Sequence, residues 1–159
     1  MAYRMTGLDP QRFASLYGAD EAVLANAGAV RVTADAVPGY PCRVTLRDAE
    51  VGETLLLLPH RSGAQRGPFG FTYAVFVREG ADRAASFTDD VPPAFATRPL
   101  SLRGFAADGM VRDAVLVEPG GADMAIRQML EDESVCYIDA HNAIPGCFAA
   151  RIERHDDAG

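Results

Sequence analysis

Tyr137-Ile-Asp-Ala-His-Asn-Ala-Ile-Pro-Gly-Cys-Phe-Ala-Ala-Arg151 reads as two short half-apolar segments around a Pro-Gly pair. Polar and apolar residues alternate before Pro145-Gly146, which is the period of a strand followed by the punctuation of a turn. The stretch therefore predicts the last hairpin of an antiparallel sheet. On its first strand Asp139 and His141 point to one side with Tyr137, and Ile138 and Ala140 point to the other. Register decides what they meet. If paired residue numbers sum to an even value, Asp139, His141, Cys147, Ala149 and Arg151 share a face; a slip by one turns His141 toward Phe148. A type II turn centred on Pro145-Gly146 favours the odd sum, and a bulge would reconcile the two.

Working outward, Ala122, Ile126, Met129 and Leu130 recur at i, i+4, i+7 and i+8, a helix of about three turns. Asp108-Gly109 between the runs Leu100 to Ala106 and Met110 to Val117 is the strongest hairpin signal. Phe71 to Val77 predicts a central strand, and Leu55 to Leu58 a strand covered on both faces. His60 to Gly70, rich in Gly and polar residues, reads as a surface loop. Val30, Val32 and Ala34 alternate with polar neighbours as a strand. So do Cys42, Val44 and Leu46 after the rigid turn Pro38-Gly39-Tyr40-Pro41. Tyr3 to Leu8 predicts a first strand. Asp9-Pro10 then opens a helix with Phe13, Leu16 and Tyr17 on one stripe, and Asp20 caps a second with Val23, Leu24 and Ala27 buried. The expected architecture is a single α+β domain over residues 1–159. It has a mainly antiparallel sheet, an N-terminal helix pair, one late helix and a polar tail at 155–159.

The 159 residues carry a net charge of −7, and all 15 basic residues are Arg, scattered along the chain. That balance excludes bulk attraction to nucleic acid or to an anionic membrane. No apolar run approaches the roughly 20 residues of a membrane span, and the opening residues, which lack an apolar run and a small-residue cleavage site, lead us to expect no secretory signal. The three cysteines, Cys42, Cys136 and Cys147, lack a Cys-x-x-Cys spacing, so a reducing cytoplasm is expected.

Several residue sets bear chemistry. Asp139 beside His141 suits acid–base work, because a carboxylate orients an imidazole and raises its basicity; the competing reading is a solvated edge strand. Cys42, held after a rigid turn, is a candidate nucleophile with His141 as base and Asn142 as orienter, against the competing reading of a core cysteine. Arg43, Asn142, Cys147 and Arg151 form a candidate ligand-binding set. Cys42, His60, His141 and Cys147 would make a Cys₂His₂ metal set, but zinc motifs supply ligands as close pairs and none is present, so no metal is assigned. No Gly-rich phosphate cradle occurs, and no cofactor is implied.

The expectation is a small anionic ligand held in a polar pocket between the Cys42-Arg43 strand and the 137–151 hairpin, with room for enzymatic chemistry through His141. The alternative is a non-catalytic partner-binding or structural module presenting the Arg61–Gly70 and Pro92-Pro93 loops. Gly7-Leu8-Asp9-Pro10, Gly39-Tyr40-Pro41-Cys42-Arg43, Phe76-Val77-Arg78-Glu79, Ala140-His141-Asn142 and Gly146-Cys147 occur in one order along the chain. In these segments the sequence resembles a bacterial family catalogued as domain of unknown function 1203. The resemblance implies no activity, cofactor or catalytic residue; it directs attention to the Pro-Cys-Arg, His-Asn and Gly-Cys segments.

Overall fold

Alternating strands and turn residues build two sheets and leave little helix. The computed structural model of the protein describes residues 1–156. Its elements are β1 (Tyr3–Thr6), 3-10 turns at Pro10–Arg12 and Ala14–Leu16, α1 (Glu21–Asn26), β2 (Val30–Thr33), β3 (Thr54–Gly63) and β4 (Gly70–Arg78). They continue with β5 (Ser86–Thr88), a 3-10 turn at Pro93–Phe95, β6 (Leu100–Phe105), β7 (Val111–Val117), α2 (Ala122–Leu130), β8 (Tyr137–Asn142) and β9 (Phe148–Arg154). One sheet has the order β5-β1-β9-β8-β6-β7 and the other β2-β3-β4. Every strand pair is antiparallel, and the class is α+β.

The larger sheet buries one face against α2. Ile126, Met129 and Leu130 join Leu102, Ile138, Ala140 and Ile152 in the main core. That face approaches so closely that a Cβ on Gly104 would lie 2.9 Å from Met129 Sδ and 3.1 Å from Val135. The opposite face of β8 and β9 meets the β3–β4 hairpin through ring contacts of His60 and Tyr73 with Phe148 and His141. β8 is thus buried on both sides and flanked by β6 and β9, which overturns the reading of Asp139 and His141 as a solvated edge face. Elsewhere on the smaller sheet, Leu56, Leu58, Val75 and Val77 pack with Phe13, Leu24, Cys42 and Val44 in a second core.

Five expectations change. The first N-terminal helix is a pair of 3-10 turns, although Asp9 does cap it, accepting from Gln11 N–H. The second, α1, is capped by Asp20 as expected, but it is six residues long and buries Leu24 while leaving Val23 and Ala27 exposed. Cys42–Arg47 is no strand. Leu46 N–H bonds back to Cys42 O and Leu46 takes φ 55°, so the segment is a turn, although Cys42, Val44 and Leu46 are buried as the alternation required. Neighbours override the local pattern here: the backbone of Arg43 bonds to Phe76 O and Leu8 N–H, and that of Val44 to Ala85 N–H. The expected loop His60–Gly70 is strand at its two ends, since β3 runs to Gly63 and β4 begins at Gly70, and only 64–69 form the connection. β4 is also an edge rather than a central strand, and the Cys42–Phe76 bridge covers part of its open side. Of the expected polar tail, His155 and Asp156 are described and 157–159 lie outside the described residues.

Candidate functional site

Register settles the fate of the opening hairpin. Asp139 lies opposite Arg151 and Ala140 opposite Ala150, but nearer the turn His141 lies opposite Phe148. Asn142 N–H bonds to Cys147 O across the turn. A bulge at Ala149 lets the even pairing and the odd pairing coexist. Asp139 and Arg151 therefore meet, and His141 looks at Phe148.

Asp139 is 0% exposed, and both of its oxygens are engaged. Arg151 Nε donates to Oδ1 at 2.8 Å and Nη2 to Oδ2 at 3.1 Å. Gly63 N–H donates to Oδ2 at 3.0 Å, and Arg151 Nη2 returns to Gly63 O at 3.2 Å. Gly63 has φ +83°, and a Cβ there would sit 2.1 Å from Phe69 O, so the end of β3 can turn this way only as glycine. The Arg151 guanidinium lies 3.9 Å over the Tyr137 ring. Burial works against its charge, and the bonds to Asp139 outweigh that, raising its pKa. This cluster ties the two sheets together.

Arg43 is the opposite case. It is 4% exposed, and its bonds go only to carbonyls: Nε to Phe148 O at 2.8 Å and Nη1 to Pro41 O at 2.6 Å. Among the described residues no carboxylate lies within ion-pair distance of it. Nearby Asp48 is taken by both Nη atoms of Arg98. Burial pushes the Arg43 guanidinium down to about 10. Even so it stays charged at neutral pH: a buried cation with no counter-charge.

Arg43 lines a cavity of about 420 Å³ with Asn142, Cys147 and Arg98, walled by Phe76, Ile144 and the Pro38–Pro41 turn. Asn142 is buried, and among the described residues its side-chain amide makes no hydrogen bond. Cys147 is a free, half-buried thiol. Three of the four residues expected to bind a ligand thus share one cavity. The fourth, Arg151, lines another of about 540 Å³ with Arg12, His60 and Glu153.

The residues expected to be catalytic do not assemble. Cys42 is 1% exposed in the second core, and its Sγ accepts the N–H groups of Arg78 and Thr45 at 3.2 and 3.5 Å. It faces none of the three cavities. His141 is not paired with Asp139. Its Nδ1 donates to Gly146 O at 2.9 Å, which fixes the tautomer because a carbonyl can only accept. The ring sits edge-on to Tyr73 and Phe148, and burial lowers its pKa. Cys42, His60, His141 and Cys147, the set weighed for a metal, are dispersed over the core and three cavities. Sequence reasoning missed Arg98 and Arg103, scattered arginines with no motif around them.

The family model described as Protein of unknown function (DUF1203) matches residues 39–154. The match spans most of the chain, including every site residue expected from the sequence, and the chain belongs to that family. No curated protein and no solved structure matches it. Among the described residues no helix is long and apolar enough to cross a membrane, and no group of three His, Cys, Asp or Glu side chains forms a metal cluster.

Proposed function

We propose that this DUF1203 member binds a small anion, of carboxylate or phosphate size, in the cavity lined by Arg43, Asn142 and Cys147. The observation that carries the reading is Arg43, a guanidinium nine-tenths buried with two carbonyl partners and no carboxylate. An uncompensated buried cation is costly, and an anion entering beside it gains charge-assisted hydrogen bonds worth about 1.5–3 kcal/mol each. Asn142 adds an amide donor, and the Cys147 thiol is the one nucleophile lining this cavity. Arg151 takes no part, because its charge is matched by Asp139. His141 takes none either, because it lines a different cavity.

The test is isothermal titration of the protein at low salt with phosphate, sulfate, acetate and malonate, repeated on Arg43→Met. Saturable binding of at least one anion, lost in the variant and weakened in Asn142→Ala, is the expected result. Binding that survives Arg43→Met, or no saturable binding of any of the four, overturns the reading.

A further inference from the structure

A third cavity, of about 280 Å³, opens between the β3–β4 hairpin and the β6–β7 hairpin. Its walls carry four aromatic rings, Phe69, Phe71, Tyr73 and Phe105, and no acidic residue lines it. Phe71 stands at its rim, 49% exposed although it is a large apolar ring. Tyr73 sits edge-on to Phe71 and to His141, and Phe69 edge-on to Phe105, leaving ring faces and edges for a planar guest.

Three polar residues line this apolar space, and each has bonding capacity left. Arg103 donates only to neutral hydroxyls, Tyr73 Oη at 3.1 Å and Ser101 Oγ at 3.4 Å. Its neighbour across the ladder is Asp139, whose oxygens are held by Arg151 and Gly63, so two arginines flank one carboxylate and a positive charge is left over. Ser62 is 6% exposed, and its Oγ is buried with no hydrogen-bond partner among the described residues. His141 has its Nδ1–H committed to Gly146 O, so its Nε2 presents a lone pair that no described residue uses.

A cavity of about 150 Å³ holds benzene, so one of about 280 Å³ has room for a ring and a polar substituent. We propose that the cleft of Phe69, Phe71, Tyr73, Phe105, Arg103, Ser62 and His141 is a second binding site, one that takes a one-ring aromatic carboxylic acid. The ring lies among the aromatic walls and the carboxylate on Arg103. A hydroxyl or amino substituent on the ring finds His141 Nε2. This site is separate from the Arg43 cavity, with which it shares no lining residue.

The experiment is an NMR titration of the isotope-labelled protein with benzoate and 4-hydroxybenzoate, with acetate and benzyl alcohol as controls lacking the ring or the charge. Expected are saturable shifts at Phe71, Phe105 and Arg103 with the benzoates. Acetate should not shift these residues, and benzyl alcohol should bind at least tenfold more weakly. Arg103→Gln should weaken benzoate at least tenfold, and Arg43→Met should leave it unchanged. Benzoate binding that Arg103→Gln does not weaken overturns the proposal, as does the absence of saturable shifts. If instead Arg43→Met abolishes the binding and Arg103→Gln does not, benzoate occupies the other cavity. That result sinks this inference while supporting the anion site. Should Arg103→Gln fail to fold, the rim variant Phe71→Ala decides: at least threefold weaker benzoate binding supports the cleft, and unchanged binding overturns it.

Discussion

Arg151 and Arg43 come from the same family-matched segment, and both were expected to hold an anion, yet they live in opposite electrostatic circumstances. Arg151 reaches a carboxylate, a backbone carbonyl and an aromatic face, so its field ends inside the protein. Arg43 is more deeply buried and meets only carbonyl dipoles. Residue type does not separate a structural arginine from a receptive one. Whether a full counter-charge is already in contact does.

The sharpest way to break this contrast is to remove the guanidinium of each. Arg151→Ala leaves the fully buried Asp139 carboxylate without its partner and should destabilise the protein by about 3–5 kcal/mol in urea unfolding. A cost below about 1 kcal/mol would mean that the cluster does not hold the sheets together and that Arg151 is available to a ligand.

Acidification probes the same junction from β3. Burial, with Arg12 adding to it, pushes His60 down to about 4. An unfolded histidine takes its proton near pH 6.5, so between about 6.5 and 4 the unfolded state binds more protons than the folded one. Stability present above that window is lost as pH falls through it, by roughly 2 kcal/mol once screening through the open cavity is allowed for. His141, also lowered by burial, works in the same direction. His60→Gln should flatten the pH series of unfolding midpoints. A wild-type series already flat from pH 6.5 to 4.5 would show that His60 is not held neutral.

Cys42→Ala should cost about 1 kcal/mol as a small core truncation and leave anion titrations unchanged. A loss of anion binding with intact stability would return Cys42 to the site. The smallest effect is expected from Arg43→Met. Relief of the uncompensated charge offsets the two lost carbonyl bonds, and stability stays within about 1 kcal/mol of wild type. A loss as large as that of Arg151→Ala would erase the distinction between the two arginines.

Much of the fold was legible because local signals agreed with tertiary ones. Asp108-Gly109 does join two paired strands, and the Ala122–Leu130 periodicity does mark a helix whose apolar stripe enters the core. The misses have physical causes. His60 to Gly63 extend a strand despite polar, glycine-bearing sequence, because Tyr73, Thr72, Phe71 and Gly70 pair with them. Cys42 to Leu46 alternate like a strand, yet their backbone partners outside the turn, Leu8, Phe76, Ala85 and Ala94, lie on four separate segments, which no local period records. In the last hairpin the turn favoured one register and the side chains the other, and the bulge at Ala149 satisfies both. The site was half legible. The motif segments led to Arg43, Asn142 and Cys147, but the aromatic cleft gathers residues from 62 to 141 that no spacing connects.

The pairing of β1 with both β5 and β9 has a consequence for the order of assembly. A strand near the beginning of the sequence finds one partner some eighty residues later and the other almost 150 residues later. During synthesis at about 5–20 residues per second, its edges wait many seconds for those partners, while the β3–β4 and β6–β7 hairpins can close as soon as they emerge. The small sheet can therefore form early. The large sheet gains its β1–β9 seam only when its last strand arrives.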